Sequence, residues 1–266
     1  MLHYAVLAQQ HPGQAPSDSR RELEAFSKMS AAELVQKYFD HPPYRLFAIR
    51  RLIELGDPAV VPVLQRAFGE ETEVTRRRFI AAALVSLSDP DGNYYAYVTD
   101  GAREAIKSEL PFPVPLSESV DSKSRPHYRR DFLEAVPTRG LDFDAAVQAS
   151  TFELPGAVEA LGETGDPRSF SLLLDGLHSA NIMIVRAAAF GLARLQNNSA
   201  IQPIVAICSH LPLEERRMIA KSLLYFDSQV AREGARTMIA DAKLFERWQT
   251  DVTRRGWKRA MEDSGR

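Results

Sequence analysis

Six histidines, one cysteine and a short run of acidic residues are the groups of this chain best suited to metal or nucleophilic chemistry. The histidines are His3, His11, His41, His127, His178 and His210, and none is followed by glutamate, so paired His-Glu dyads of the kind that hold a di-iron centre are absent. Asp89, Asp91 and Asn93 repeat the opening of a calcium loop, in which oxygens at alternate positions surround the ion. Tyr94 stands where that loop needs a glycine for its sharp turn, and Asp100 where it needs a bidentate glutamate. A plain turn is the expectation there. Cys208 lies among Val205, Ala206, Ile207 and Leu211, a setting that suits a core side chain better than a nucleophile. With no Gly-x-Ser-x-Gly elbow and no phosphate-cradling glycine loop, the chain is expected to carry no catalytic residue, no cofactor and no metal.

Arginines offer a second kind of chemistry. Arg45, Arg77, Arg78, Arg186, Arg216 and Arg217 recur at nearly constant distance before an apolar position, a column of charge able to hold an acidic partner or a phosphate backbone. The structural reading is favoured: such arginines are expected to meet Asp57, Asp89 and Asp166, or the carbonyl ends of neighbouring helices. Tyr94, Tyr95, Tyr97 and Trp257 could stack on bases or fill a partner's pocket, although adjacent helical positions diverge, so one of Tyr94 and Tyr95 is expected in the core.

Composition bounds the classes that remain. The chain has 266 residues, 45% of them hydrophobic, enough to bury a core without disulfide staples. Lys and Arg number 33 against 35 acidic residues, a net charge of −2 that argues against a surface built as a whole to trap nucleic acid. The single cysteine excludes an intrachain disulfide framework. No apolar run reaches the roughly 18 residues of a membrane-spanning helix. Residues 1–17 are expected to be a disordered start or the remnant of a signal peptide, since Val6-Leu7-Ala8 before Gln9 has small-residue cleavage spacing but lacks a basic lead-in. A cytoplasmic location is favoured, with a periplasmic or secreted one following if residues 1–8 end a signal peptide.

The elements that position these residues come from an internal repeat. The stretch from Leu52 to Leu64 realigns with Leu84 to Val98, with Leu161 to Leu177, and more weakly with Gly191 to Ile207 and Ser222 to Ile239. Anchored at Leu55, Leu87, Thr164, Leu195 and Phe226, neighbouring copies lie about 31 residues apart except across the middle, the length of a helix-turn-helix unit. First helices carry apolar stripes such as Ala48, Leu52 and Leu55, Ala157 and Leu161, or Ala188, Leu192 and Leu195. Gly56 and Gly165 can close a helix in the left-handed conformation, while Asp57, Asp89 and Asp166 can cap the next with Pro58, Pro90 and Pro167 in its first position. Second helices carry Val60, Val61, Leu64 and Phe68, or Leu172, Leu173 and Leu177. One such hairpin has too little interior to stand alone, so the pairs must stack. Ser30 and Glu33 form a capping box opening a helix with Leu34, Val35, Tyr38 and Phe39, and Leu244, Phe245, Trp248 and Val252 line a terminal helix.

These copies resemble HEAT-like repeats, particularly the short variety found also in phycobilisome lyases. Their unit runs as an arginine near the start of the first helix, an alanine-rich stripe, Leu-Gly, Asp-Pro and a second helix. Here Val185-Arg186 to Leu195, Arg77 and Arg78 to Pro90, and Leu52 to Pro58 carry it, over roughly residues 44–106 and 151–240. The resemblance implies an all-α fold, a right-handed α-solenoid of helical hairpins, with a repeat domain over 18–241 and a capping helix and tail over 242–266. It is nearly silent on activity.

Residues 107–150 break the period. Leu110 to Leu116 alternates proline with apolar residues and must be extended, Ser117 to Ser124 is polar, and helices are expected again with Phe132, Leu133 and Val136, then from Asp142 with Ala145, Ala146 and Val147. The insert is read as a degenerate repeat carrying a loop, and loops of this kind often make contacts. The favoured function is a non-enzymatic module binding a protein or peptide through Arg66, Arg103, Arg232 and Arg236 and through Phe112, Tyr128, Arg129 and Arg130 of the insert. The competing class is a HEAT-like enzyme related to bilin lyases or to alkylpurine DNA glycosylases, which would require a basic face around a pocket carboxylate.

Overall fold

Each corner of the repeat begins with a short polar side chain folded back onto the helix it opens. Asp57 Oδ1 accepts from Ala59 N at 2.9 Å, Asp166 Oδ1 from Arg168 N at 2.9 Å, and Asn197 Oδ1 from Ser199 N at 3.0 Å. These bonds satisfy N–H groups that no intrahelical carbonyl can reach. One 3₁₀ turn follows at these three corners, at Pro58–Val60, Pro167–Ser169 and Asn198–Ala200. Gly56 and Gly165 enter the first two corners at φ 63° and 62°. Gln196 takes the same left-handed backbone, at φ 53°, with a side chain attached. That strain costs about 1 kcal/mol. It is offset by a three-way clamp: Gln196 Nε2 donates to Ala193 O at 2.6 Å and Tyr225 O at 2.8 Å, and Oε1 accepts from Asp227 N at 3.0 Å.

The Asp89-Pro90 corner departs from expectation. Its helix starts only at Asn93, so Pro90 lies in the turn and not in the first helical position. Gly92, at φ 70°, adds a further reversal, and Asp89 reaches Tyr94 N at 3.3 Å and Tyr95 N at 2.8 Å. Of the calcium-like run, the Asp89 carboxylate thus serves as a helix cap.

The computed structural model describes residues 28–36, 42–113, 130–136 and 142–256. Every regular element among them is helical, with no strand among the described residues. The chain divides into two compact units, Met1–Tyr97 with Thr250–Arg266, and Val98–Gln249.

In the first unit, helices α1 (Ala31–Leu34), α2 (Pro42–Leu55), α3 (Val61–Glu70) and α4 (Val74–Leu87) precede α5 (Asn93–Lys107). The predicted capping box closes as Ser30 N donates to Glu33 Oε2 at 2.9 Å and Glu33 N to Ser30 Oγ at 3.3 Å. Leu34 is buried behind it, while Tyr38 and Phe39 lie outside the described residues. Helix α4 packs on both α2 and α3, enclosing Ile49, Leu52, Leu64, Ile80 and Leu84. The stripe expected to end at Leu55 stops one turn earlier. Leu55 is the last residue of its helix, where the chain swings into Gly56, and it remains 36% exposed.

The second unit carries α6 (Arg130–Ala135), α7 (Phe143–Gln148), α8 (Leu154–Glu163), α9 (Phe170–Gly176), α10 (Ile182–Arg194), α11 (Ile201–His210), α12 (Leu213–Ala220) and α13 (Gln229–Ile239), then enters α14 (Ala242–Arg255). The two insert helices form where the sequence places them. Phe132, Val136 and Ala146 join Leu110 in a small core, with the Phe132 and Phe143 rings edge to face at 6.0 Å. Helix α8 packs on α10, and α10 on α12. Where α8 meets α10 neither helix has a side chain: a Cβ added to Gly162 would lie 2.7 Å from Gly191 Cα.

Polar clamps repeat with the same step. Arg194 Nη2 donates to Glu163 Oε1 at 2.9 Å, Asn181 Nδ2 to Ser150 O at 2.8 Å, and Asp227 N to Gln196 Oε1 at 3.0 Å, and each joins residues 31 apart. Local geometry explains the second. Residues Ala149–Glu153 form a π-helical turn leading into α8, and Leu154 N bonds Ala149 O. The next N–H in that register would belong to Pro155, which has none, so Ser150 O is left for another donor. Asn181, fully buried, supplies it, while its own Oδ1 caps α10 through Met183 N at 2.9 Å.

Candidate functional site

The turn aspartates are taken up locally, and the side chain of Arg45 lies outside the described residues. Asp57 and Asp89 are engaged as caps, and Asp166 binds Arg168 through Nε at 3.0 Å, a contact that holds its carboxyl below the ordinary aspartate range. A short aspartate side chain spends its oxygens on the backbone two residues ahead before an arginine from another helix can use them. Three of the column's arginines reach rings or a helix-end carbonyl. Arg77 lies 4.5 Å from the Phe68 ring centre and 5.5 Å from that of Tyr97. Phe68 is braced edge-on by Tyr94 at 5.1 Å and Tyr97 at 5.3 Å. Both Tyr94 and Tyr95 are half-buried, so neither is a full core residue. Arg186 covers the Phe190 ring at 5.5 Å. Arg217 follows the other half of the expectation, donating through Nε to Ile239 O at 2.9 Å at the carbonyl end of α13.

Of the residues proposed for partner contact, Arg66 is exposed on α3 in the first unit. Arg103 is exposed on α5 and pairs with Asp100 at 2.6 Å. Arg232 and Arg236 lie one turn apart on α13. Arg232 Nε donates to Gln229 Oε1 at 3.2 Å, and the Arg236 guanidinium sits 5.0 Å from the Phe245 ring centre on α14. Trp248, on the same helix, receives Lys221 Nζ at 5.3 Å. Tyr128 and Arg129 lie outside the described residues, as do the side chain of Arg130 and Trp257.

Phe112 is half-buried and lines a hollow of about 390 Å³ in the second unit. That hollow brings together residues scattered along the chain. Leu177, Ile182, Val185 and Ile207 supply apolar lining, and His178, His210, Asp131 and Glu215 supply polar lining. One signal was available: His178 and His210 stand one repeat apart, just past α9 and at the end of α11. Their spacing matches the period, but only packing shows both facing one space. No group of three or more His, Cys, Asp or Glu among the described residues is placed to hold a metal ion. Cys208 is buried, and burial pushes its thiol up to about 12. No helix of the described residues is long and apolar enough to cross a membrane. Comparison with family models and with curated proteins found no match to this chain.

Proposed function

We propose that this protein is a HEAT-like helical-repeat module, a right-handed α-solenoid of hairpins that binds a protein or peptide partner along its surface and catalyses no reaction. The observation that carries this reading is the shared step of 31 residues in the clamps Ser150 to Asn181, Glu163 to Arg194 and Gln196 to Asp227. Equivalent positions bonded to one another are what tandem units need when each shields the apolar flank of the next. Stacking of this kind yields an extended surface of repeated side chains, suited to a long partner. Arg232 and Arg236, on one face of α13, form part of that surface. The glycosylase-like alternative calls for cations around a pocket, whereas among the described residues the charged lining of the hollow consists of Asp131 and Glu215.

The test is affinity capture of the tagged protein, with and without nuclease, using the double variant Arg232→Glu/Arg236→Glu. Recovery of bound protein should fall by about tenfold or more while circular dichroism is unchanged. Equal recovery would refute the α13 face, and recovery that vanishes with nuclease would refute a protein partner.

A further inference from the structure

The hollow beside Phe112 has a definite chemical bias. Its apolar lining is aliphatic, from Leu177, Ile182, Val185 and Ile207, with Phe112 and Pro111 of the extended segment. Its volume of about 390 Å³ is near the lower end of the roughly 300–1,000 Å³ of ligand pockets, enough for a few side chains and too little for a folded domain. Glu215 on α12 is half-buried and makes no hydrogen bond or ion pair among the described residues. Asp131 also lines the hollow, with Oδ1 accepting from Phe132 N at 3.0 Å. No lysine or arginine is in the described lining.

We propose that this hollow seats a short segment of a protein partner in which an aliphatic side chain is flanked by lysine or arginine. The inference rests on the partner-binding reading above and names the chemistry of one subsite. An aliphatic side chain placed against Ile182 and Ile207 removes apolar surface from water on both sides. Covering Glu215 with an uncharged segment would strip its carboxylate of water without replacement, which is unfavourable. An ammonium or guanidinium supplies charge-assisted hydrogen bonds in place of that water, whereas an acidic segment is repelled. The same carboxylate therefore selects for one partner and against another.

The experiment uses the full chain and a fluorescein-labelled, amidated peptide of repeated Ser-Leu-Lys, followed by anisotropy. Counterparts with glutamate for lysine or serine for leucine should bind at least about tenfold more weakly. Glu215→Gln and Glu215→Lys should weaken the leucine-lysine peptide progressively, and Ala180→Trp, at an exposed lining position, should block it with helicity retained. Equal affinity for the three peptides, no measurable binding of any, or indifference to both Glu215→Gln and Ala180→Trp would overturn the assignment. So would a change in molecular weight by sedimentation on Glu215→Gln, which would make a second copy of the chain the occupant. Failure here with partner capture still sensitive to the Arg232 and Arg236 reversal removes the hollow alone. Loss of both removes the binding reading itself.

Discussion

Replacing Gly162 by alanine tests whether α8 and α10 are stacked as closely as their glycines allow. In an ordinary helix this change is stabilising, because alanine is preferred by about 1 kcal/mol. Here the new Cβ would meet Gly191 Cα at 2.7 Å, against 3.4–4 Å for ordinary contact, and backbone cannot rotate aside as a side chain can. The helices must separate by several tenths of an ångström. That loosens Leu161, Ala188 and Leu192, all fully buried, and lengthens the Arg194 to Glu163 bond, now 2.9 Å. Overpacking of this kind costs about 1–3 kcal/mol, so after the helical gain a net loss of up to about 2 kcal/mol is expected. At about 2–4 °C per kcal/mol, the melting temperature should fall by up to roughly 8 °C. Gly69→Ala is the control, since Gly69 lies in α3 with nothing within 4 Å of its Cβ position, and it should stabilise by about 0.5–1 kcal/mol. Thermal melts of both variants by circular dichroism and calorimetry read the contrast. If Gly162→Ala raises the melting temperature as Gly69→Ala does, the close stacking of α8 on α10 is wrong.

Asn181→Leu should lower stability by about 2–4 kcal/mol in urea titration, because Ser150 O loses its buried donor and α10 its cap. A loss below about 0.5 kcal/mol would place the Ser150 carbonyl and the Met183 N–H in water instead. At Gln196, both alanine and glycine should destabilise, since the clamp to Tyr225 and Asp227 is gone. Glycine should be the milder by about 1 kcal/mol because it relieves the left-handed backbone, so equal losses would deny the strain. Cys208 should resist thiol reagents in the native protein and react fully only after unfolding. Its folded pKa is raised by burial to about 12, so its contribution to stability is complete below the ordinary thiol range near 8.5 and declines as pH rises from there toward 12. Replacement by alanine should remove that part of the alkaline decline; an unchanged pH profile would count against the buried thiol.

The corners were legible because their physics is local. Asp57, Asp166 and Asn197 cap groups two residues away, and the capping box of Ser30 spans three, so sequence spacing nearly specifies geometry. The insert helices were legible for the same reason, through the apolar spacing of Phe132 and Val136. Asp89-Pro90 misled because the corner continues through Asp91, Gly92 and Asn93, extending the turn by residues that carry their own turn preference. The contacts of the arginine column were legible only in part, Arg217 reaching a helix-end carbonyl and Arg77 two rings. A long guanidinium can settle on any ring or carbonyl within reach, and which one is nearby depends on other helices.

By itself the sequence determined that the described residues are helical and where several of their helices open, since periodicity and capping act within a few residues. Only the tertiary structure decided that Gly162 faces Gly191, that Asn181 serves the orphaned carbonyl of Ser150, and that Phe112, His178, His210 and Glu215 line one hollow. Those pairings join residues from different turns of the repeat. Their distances follow from how helices pack, a sum over many weak contacts that no single stretch of sequence contains.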